Sequence, residues 1–287
     1  MWQEYHCPST VEEALELLRS RRGRARVIAG GTDLVIEIKE GDRVVPFLVD
    51  ITEIEFLKKI ELEGDYIKIG ACVTHHQAAS SDLVQARATA LSEAALSIGS
   101  PQTRNIGTVA GNVVNAQPAA DAAVALMGLG AEAEIMDGAG SRWTPVEALY
   151  AGIGLSKVNS NEEMVTALRF KAQENDQGSA FERLAQRKAL ALPILNTAVM
   201  VTADAGRCLR ARIVVAPVAP LPYRCRAAED FLTGAPMTPE TFARAGEAAA
   251  GECNPRDSAL RGGSEYRREM IKVLVRRALG RAMGRIG

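Results

Sequence analysis

One stretch, residues 99–121, restricts what this chain can fold into, because it is rich in glycine, proline, asparagine and small side chains and has few long apolar ones. So little bulk cannot build a core alone. It does let backbone N–H and C=O groups approach a ligand closely, since glycine has no Cβ. Apolar residues follow at 122–129, so the stretch predicts a phosphate- or heteroatom-binding loop that enters a helix. A polar surface loop is the alternative.

A second glycine-bearing turn lies upstream, after a predicted buried strand at residues 27–29. Gly30 and Gly31 force a tight turn, and Thr32 or Asp33 can cap the helical piece that follows. Such a turn presents several N–H groups to an anion such as a pyrophosphate. A plain strand–turn–helix corner is the alternative, because the sequence matches neither the Walker loop nor the Gly-x-Gly-x-x-Gly pattern.

Composition removes several classes of function. The net charge of −1 and the aromatic content of 5% give no support for nucleic acid as a partner. No apolar run is long enough for membrane insertion, and no secretory signal is visible, so we expect a cytoplasmic protein. The five cysteines form no Cys-x-x-Cys pair, which favours free thiols over disulfides or iron–sulfur ligands.

The chain is long enough for two domains, at 287 residues. The charged segment 171–178 lacks apolar anchors, and it separates a predicted first domain at 1–174 from a second at 178–287. The first domain has mixed strands and helices, including one helix over 87–98. The second should form an antiparallel sheet with helices on one side.

No catalytic constellation is visible. The three histidines all precede residue 77, and neither a Ser–His–Asp order nor a zinc spacing occurs. His75 and His76 are adjacent on a helix that Thr74 can cap, so solvated or capping roles are expected for both. We therefore predict no catalytic residue and no metal ligand. Two glycine-bearing segments in one domain suit a long cofactor that carries the reaction itself.

Four segments resemble one family, the medium (flavoprotein) subunits of molybdenum hydroxylases such as xanthine, carbon monoxide and nicotinate dehydrogenases. AGGTDL (29–34) resembles the family's first FAD loop, and SPQTRNIGTVAGNVVNAQPAAD (100–121) its second. VAPLPYR (218–224) and DSALRGGSEYRR (257–268) resemble its C-terminal domain. The resemblance covers essentially the whole chain.

The resemblance implies an α+β fold: a two-lobed FAD-binding domain of the p-cresol methylhydroxylase type, then a smaller α+β domain of the carbon monoxide dehydrogenase flavoprotein C-terminal type. It also implies a set of FAD contacts. Asp121 could instead cap the following helix, and Val165 could be ordinary strand core. The implied contacts are Ala29, Gly30, Gly31, Thr32, Asp33, Leu34, Ile98, Gly99, Thr108, Gly111, Asn112, Val114, Asp121, Val165 and Arg183.

The sequence departs from the family at two positions near the flavin. Many members carry a lysine where this chain has Arg183, which keeps the positive charge as a rigid fork; Arg187 is a rival for the role. Many also carry a tyrosine where this chain reads Leu190 to Pro193. The four-cysteine insertion of the 4-hydroxybenzoyl-CoA reductase branch is absent.

The resemblance implies that non-covalent FAD relays electrons from [2Fe-2S] clusters in a small partner subunit to NAD+ or another acceptor. Substrate, expected to be a purine or another N-heterocycle, would be oxidised at molybdopterin in a large partner subunit, within a dimer of heterotrimers. Two alternatives stay open. One is a self-sufficient flavin oxidoreductase on the same fold, with a flavin tether near Cys72, His75 or His76. The other is an assembly subunit that has lost FAD.

Overall fold

The computed structural model describes every residue from 1 to 287 and shows two packed units. The N-terminal unit contains ten strands and eight α-helices, besides two short 3-10 helices (Glu55–Lys58 and Val146–Leu149): β1 (Glu4–His6), α1 (Val11–Ser20), β2 (Ala25–Ile28), α2 (Leu34–Glu40), β3 (Phe47–Asp50), β4 (Ile60–Glu63), β5 (Tyr66–Gly70), α3 (His75–Ser80), α4 (Asp82–Arg87), α5 (Thr89–Ser97), α6 (Pro101–Ile106), α7 (Val109–Val114), α8 (Asp121–Leu129), β6 (Glu132–Met136), β7 (Ser141–Pro145), β8 (Tyr150–Gly152), β9 (Leu155–Ser156) and β10 (Met164–Lys171). The C-terminal unit contains four strands and three helices: β11 (Gln177–Ala185), β12 (Pro193–Asp204), β13 (Arg207–Ala216), β14 (Tyr223–Arg224), α9 (Arg226–Leu232), α10 (Pro239–Glu252) and α11 (Ser264–Met283).

The N-terminal unit has two lobes, each built on its own sheet. One lobe holds a parallel sheet in the order β1-β3-β2, in which α1 and α2 lie on the connections that parallel strands require. The other holds an antiparallel sheet in the order β4-β5-β10-β6-β7. Most residues of its central strand β10 are buried, as expected for a strand covered on both faces. The predicted two-lobed FAD-domain architecture is confirmed.

Helix α8 joins the two units. Every one of its residues is buried, because after Asp121 the helix is apolar on all sides. Gly128 lets the helix approach β12 closely, since a Cβ there would lie 2.9 Å from the Cβ of Ala198. The first residue of α8, Asp121, is therefore held where the units meet.

The C-terminal unit is a four-stranded antiparallel sheet in the order β11-β12-β13-β14. Side chains alternate along β12: Ala198 packs into the core of the N-terminal unit, whereas Val199 and Val201 pack into a second core that includes side chains of α9, α10 and α11. The predicted antiparallel sheet with helices on one side is confirmed, and the N-terminal unit covers its other side.

Most predicted elements are confirmed, and caps explain several boundaries. The Thr10 side chain accepts a hydrogen bond from the N–H of Glu13 at the start of α1, and Thr74 forms a capping box with Gln77 at the start of α3. The predicted helix over 87–98 is confirmed as α5, which begins two residues later because Ala88 leaves the helical region with φ −160°. Helix α4, which ends at Arg87, was not predicted. No helix of the protein combines the length and the apolar character needed to cross a membrane.

Candidate cofactor site

A cleft of about 840 Å³ opens where the two units meet. Its walls come from the turn after β2, the segment from α5 to α8, strand β10, and the hairpin between β11 and β12. All fifteen residues that the sequence predicted as FAD contacts line it: Ala29, Gly30, Gly31, Thr32, Asp33, Leu34, Ile98, Gly99, Thr108, Gly111, Asn112, Val114, Asp121, Val165 and Arg183. The fold thus gathers them into one cavity, while the contact of each with FAD stays a prediction.

The turn after β2 leaves its backbone donors free. Gly31 has a φ of +64°, a left-handed conformation that glycine adopts without steric cost. The N–H groups of Gly30, Gly31, Thr32 and Asp33 form no hydrogen bond within the chain. Consecutive free N–H groups in a turn form a concave site for an anion. This turn can therefore receive a phosphate group.

The polar side chains of the same turn are also unused. Asp33 is the N-cap residue of α2, but its carboxylate accepts no N–H from the helix. The prediction that Thr32 or Asp33 caps this helix is therefore wrong. Burial raises the pKa of the Asp33 carboxyl, and the negative charge of Glu37 raises it further. Both Thr32 and Asp33 line the cleft.

The segment at 99–121 is not the predicted loop, because it forms the short helices α6 and α7. Ser100 Oγ accepts a hydrogen bond from the N–H of Thr103 at 3.3 Å, and Thr108 Oγ1 accepts one from the N–H of Gly111 at 3.0 Å. Asn112 Oδ1 accepts a third from the N–H of Ala123 at 3.2 Å. The segment therefore uses its side chains to satisfy backbone donors that a loop would leave free.

The two glycine-bearing segments touch each other. A Cβ on Gly30 would lie 2.1 Å from the carbonyl oxygen of Ile106 and 2.9 Å from the Cα of Gly107. Only glycine fits this contact. The need for glycine at position 30 thus comes first from packing between the two segments, both of which line the cleft.

Asp121 is almost completely buried, at 5% exposure. Its Oδ2 accepts hydrogen bonds from Arg183 Nε at 3.1 Å and from Ser97 Oγ at 3.4 Å, and its Oδ1 accepts one from Asn196 Nδ2 at 2.5 Å. Burial raises the pKa of the Asp121 carboxyl, while the positive charge of Arg183 and these hydrogen bonds lower it. The alternative role as a cap is not seen, since the N-cap of α8 is Ala120.

Arg183 and Arg187 occupy different places. Arg183 lines the cleft, pairs with Asp121 and also donates to the carbonyl oxygen of Ala191. Arg187 is exposed, and its Nε donates to the carbonyl oxygens of Ala189 at 3.0 Å and Leu190 at 3.1 Å. Of the two arginines, only Arg183 lines the cleft and places a positive charge there.

His75 is a cleft residue that the sequence did not reveal. It is 3% exposed and lines the cleft, whereas its neighbour His76 is exposed. The expected solvated or capping role is therefore wrong for His75. An isolated bridge between Thr74 and Thr108 brings His75 beside the second segment, and the N–H of His75 donates to the carbonyl oxygen of Gly107 at 2.9 Å. No local sequence pattern predicts a long-range pairing such as the bridge between Thr74 and Thr108.

The chemistry of the cleft fits FAD. The cavity has the size of a cofactor site, its wall includes the turn with the free N–H groups, and Ile98, Val114 and Val165 give apolar surface. The fully enclosed Nδ1 atom of His75 has no partner in the protein. No group of three or more His, Cys, Asp or Glu side chains is arranged to hold a metal ion.

Comparison with known proteins gives two family matches. Residues 2–170 match the family described as the FAD binding domain in molybdopterin dehydrogenase. Residues 180–282 match the family described as the CO dehydrogenase flavoprotein C-terminal domain.

Similar proteins include dehydrogenase subunits from several bacteria. The carbon monoxide dehydrogenase medium chain of Hydrogenophaga pseudoflava is 32% identical over 98% of this chain and 97% of its own length. The xanthine dehydrogenase FAD-binding subunit of Escherichia coli O157:H7 is 30% identical over 99% and 97%. The nicotinate dehydrogenase FAD-subunit of Eubacterium barkeri is 34% identical over 83% and 82%. A solved carbon monoxide dehydrogenase structure from Hydrogenophaga pseudoflava superposes with a TM-score of 0.94, at 32% identity, over 100% of this chain and 99% of that one.

Proposed function

The chain belongs to the family of FAD-binding subunits of molybdenum hydroxylases, and from that membership we propose that it relays electrons through FAD held in the cleft between its two units. The electrons come from [2Fe-2S] clusters of a small partner subunit and leave to NAD+ or another acceptor. When bound, FAD supplies the ability to accept electrons singly and to release them in pairs. The single observation that supports this proposal best is the convergence of all predicted contacts in one cleft.

The turn at 29–34 is the proposed pyrophosphate site. Its four free N–H groups, from Gly30 to Asp33, give the donors, and the Thr32 hydroxyl adds a fifth. Backbone donors bind a doubly charged group without bringing a buried cation with them. Asp121 and Arg183 line the same cleft as this turn.

Asp121, which Asn196 and Arg183 contact, fixes a charge in the wall of the cleft. Asp121 and Asn196 are buried, and the Asp121 carboxylate holds the Arg183 guanidinium in one orientation. A buried cation next to the flavin ring stabilises negative charge that arrives on reduction. We propose that Arg183 takes this role in place of the lysine seen in many family members.

The rim of the cleft gives a route for electrons. Leu190 and Leu192, at the hairpin between β11 and β12, line the cleft and are 61% and 71% exposed. They stand where many family members have a tyrosine. An exposed apolar rim excludes water when a partner protein or an acceptor covers it. We propose that one edge of the flavin stays accessible there.

The relatives support a proposal for the partners. Molybdopterin and the iron–sulfur clusters are cofactors of other subunits in this family, and we propose a large and a small partner arranged as a dimer of heterotrimers in the cytoplasm. Relatives include subunits named for xanthine dehydrogenase, nicotinate dehydrogenase and nicotine 6-hydroxylase, which supports a purine or another N-heterocycle as substrate. We also propose that the domain boundary falls between residues 174 and 178.

Purification of the chain tests the proposal. We expect about one flavin per chain, released by acid and identified as FAD. Recovery of FMN, or of a colourless chain that does not take up FAD, contradicts it.

Flavin that stays with acid-precipitated protein would favour the self-sufficient oxidoreductase instead. Of the three candidate tethers, only His75 lines the cleft. The Cys72 thiol is buried and donates to the carbonyl oxygen of Ile51 at 3.3 Å, and burial raises its pKa to about 12, so it is a poor nucleophile.

A further inference from the structure

Three separate parts of the chain converge beside Gly107. A Cβ placed on Gly107 would lie 3.2 Å from Thr32 Oγ1 and 3.5 Å from His75 Cδ2. Thr32 belongs to the free turn, Gly107 to the second segment, and His75 to the start of α3. The imidazole of His75 therefore lies next to the turn that carries the free N–H groups.

The ring nitrogens of His75 are not satisfied by the protein. Nδ1 is enclosed and has no hydrogen-bond partner. His75 nevertheless lines the cleft, so Nε2 is the ring nitrogen left to meet a ligand there. The Cδ2 atom is bonded to Nε2 and lies beside Gly107, as Thr32 Oγ1 does, so this nitrogen lies near the junction of the two segments.

The protonation state of the ring follows from its surroundings. Burial lowers the pKa of His75 to about 4, and the positive charge of Arg104 lowers it further, so the ring is neutral near pH 7. A neutral imidazole carries one N–H donor. An enclosed N–H without an acceptor is rarer than an enclosed lone pair. The proton therefore belongs on Nε2, and Nδ1 carries the unused lone pair.

We infer that His75 is a cofactor-binding residue, whose Nε2–H donates a hydrogen bond to a phosphate oxygen of FAD at the junction of the two segments. This inference rests on the proposed function, since it requires FAD in this cleft. A phosphate is the partner that suits a donor placed beside four free N–H groups and near the cation Arg104. The site thus gains a side-chain donor that does not add a buried positive charge.

The test compares variants of the full chain by FAD affinity, measured from flavin fluorescence as FAD is added to flavin-free protein. His75→Leu removes the donor and should weaken FAD binding roughly tenfold or more. His75→Gln places an amide N–H near the position of Nε2 and should keep most of the affinity. His75→Asn places it near Nδ1 and should not. His76→Leu, on the exposed neighbour, is the matched control and should bind as the wild type does.

Two further readouts separate cofactor binding from a structural role. The flavin-free His75→Leu chain should melt no lower than the wild type, because the substitution removes an unpartnered polar atom. ADP carries the pyrophosphate without the flavin. The affinity of His75→Leu for ADP, measured by competition with FAD, should therefore fall in parallel with its affinity for FAD.

The results distinguish two failures. If the wild-type chain takes up no FAD, the proposed function fails. If the wild type binds FAD but His75→Leu binds it within about twofold as well, the inference about His75 fails alone. Equal FAD affinities for the His75→Gln and His75→Asn variants would also overturn the inference, and so would unchanged ADP competition in His75→Leu. The comparison of the Gln and Asn variants decides the question even if the Leu variant does not fold.

Discussion

In the turn at 29–34, four consecutive N–H groups lack any partner, whereas in the segment at 99–121 Ser100 and Thr108 take up backbone donors at the starts of α6 and α7. Both segments contain glycine, line the same cleft and resemble the same family's FAD loops. The difference shows that glycine content alone does not identify a backbone that binds a ligand. What matters is whether neighbouring side chains already satisfy the N–H groups.

The glycines of the two segments also differ in what surrounds them. A Cβ on Gly30 would meet the backbone of the other segment, but a Cβ on Gly111 would meet only Thr108 Oγ1, at 2.8 Å. The first turn is therefore the proposed phosphate site, and the second segment is the wall against which it packs. The following substitutions test this division of roles.

Gly30→Ala should have the largest effect. Its Cβ would lie 2.1 Å from the Ile106 carbonyl oxygen, so the two segments must move apart. We expect the purified variant to lose its flavin, measured as flavin absorbance per chain. Gly280→Ala in α11, where a Cβ meets nothing within 4 Å, is the control and should keep it. A full complement of FAD in Gly30→Ala would contradict the claim that FAD binding requires the close contact between the two segments.

Arg183→Gln should have the second largest effect, because it leaves the buried Asp121 carboxylate without its cation. We expect the free energy of unfolding to fall by about 3 kcal/mol and the flavin reduction potential to become lower. Denaturant titration and potentiometry measure the two effects. Arg187→Gln should change neither, since Arg187 bonds only to its own hairpin. An equal shift of potential in both variants would contradict the assignment of Arg183.

Acid should protonate His75, the buried histidine whose N–H bonds to the second segment at Gly107 and whose Nδ1 has no partner. Its folded pKa of about 4 lies below the ordinary value near 6.5, so the folded chain binds fewer protons than the unfolded one. The contribution of the neutral His75 ring to the free energy of unfolding is therefore fully present above about pH 6.5 and is lost as the pH falls toward 4. We expect His75 alone to remove about 2 kcal/mol between pH 7 and pH 5 in the flavin-free chain. Unfolding curves should show a shallower loss in His75→Leu, while a His76→Leu curve that flattened equally would count against this account.

Gly111→Ala should have the smallest effect. The new methyl group displaces only the Thr108 hydroxyl, and loss of that cap costs about 1 kcal/mol. We expect FAD affinity within about fivefold of the wild type, measured by flavin fluorescence. A loss as complete as that of Gly30→Ala would mean that the second segment supplies phosphate donors as well, and the division of roles would be wrong.

Much of the site could be predicted from the sequence because glycine and short polar residues identify places of close approach, and a family resemblance related the two segments to one cofactor. The helices α6 and α7 were missed because six residues are too few to show a helical period. Their caps gave a signal that could have revealed them: Ser100 before Pro101, and Thr108 three residues before Gly111.

The rest of the site depends on contacts that no local pattern encodes. The Asp121–Arg183 pair joins the two units across 62 positions, and His75 reaches the second segment through the Thr74–Thr108 bridge. The covered inner face of the C-terminal sheet likewise depends on α8 packing against Ala198. These features follow only once the chain has folded, because long-range packing selects which polar groups are buried together.

Hydrogen–deuterium exchange with and without FAD tests the central claim most directly. The N–H groups of residues 30–33 have no partner in the free cleft, so they should exchange rapidly in the flavin-free chain and slow strongly when FAD binds. Those of Thr103 and Gly111 are already bonded and should change far less. Protection that FAD produces at α6 and α7 but not at 30–33 would contradict the account.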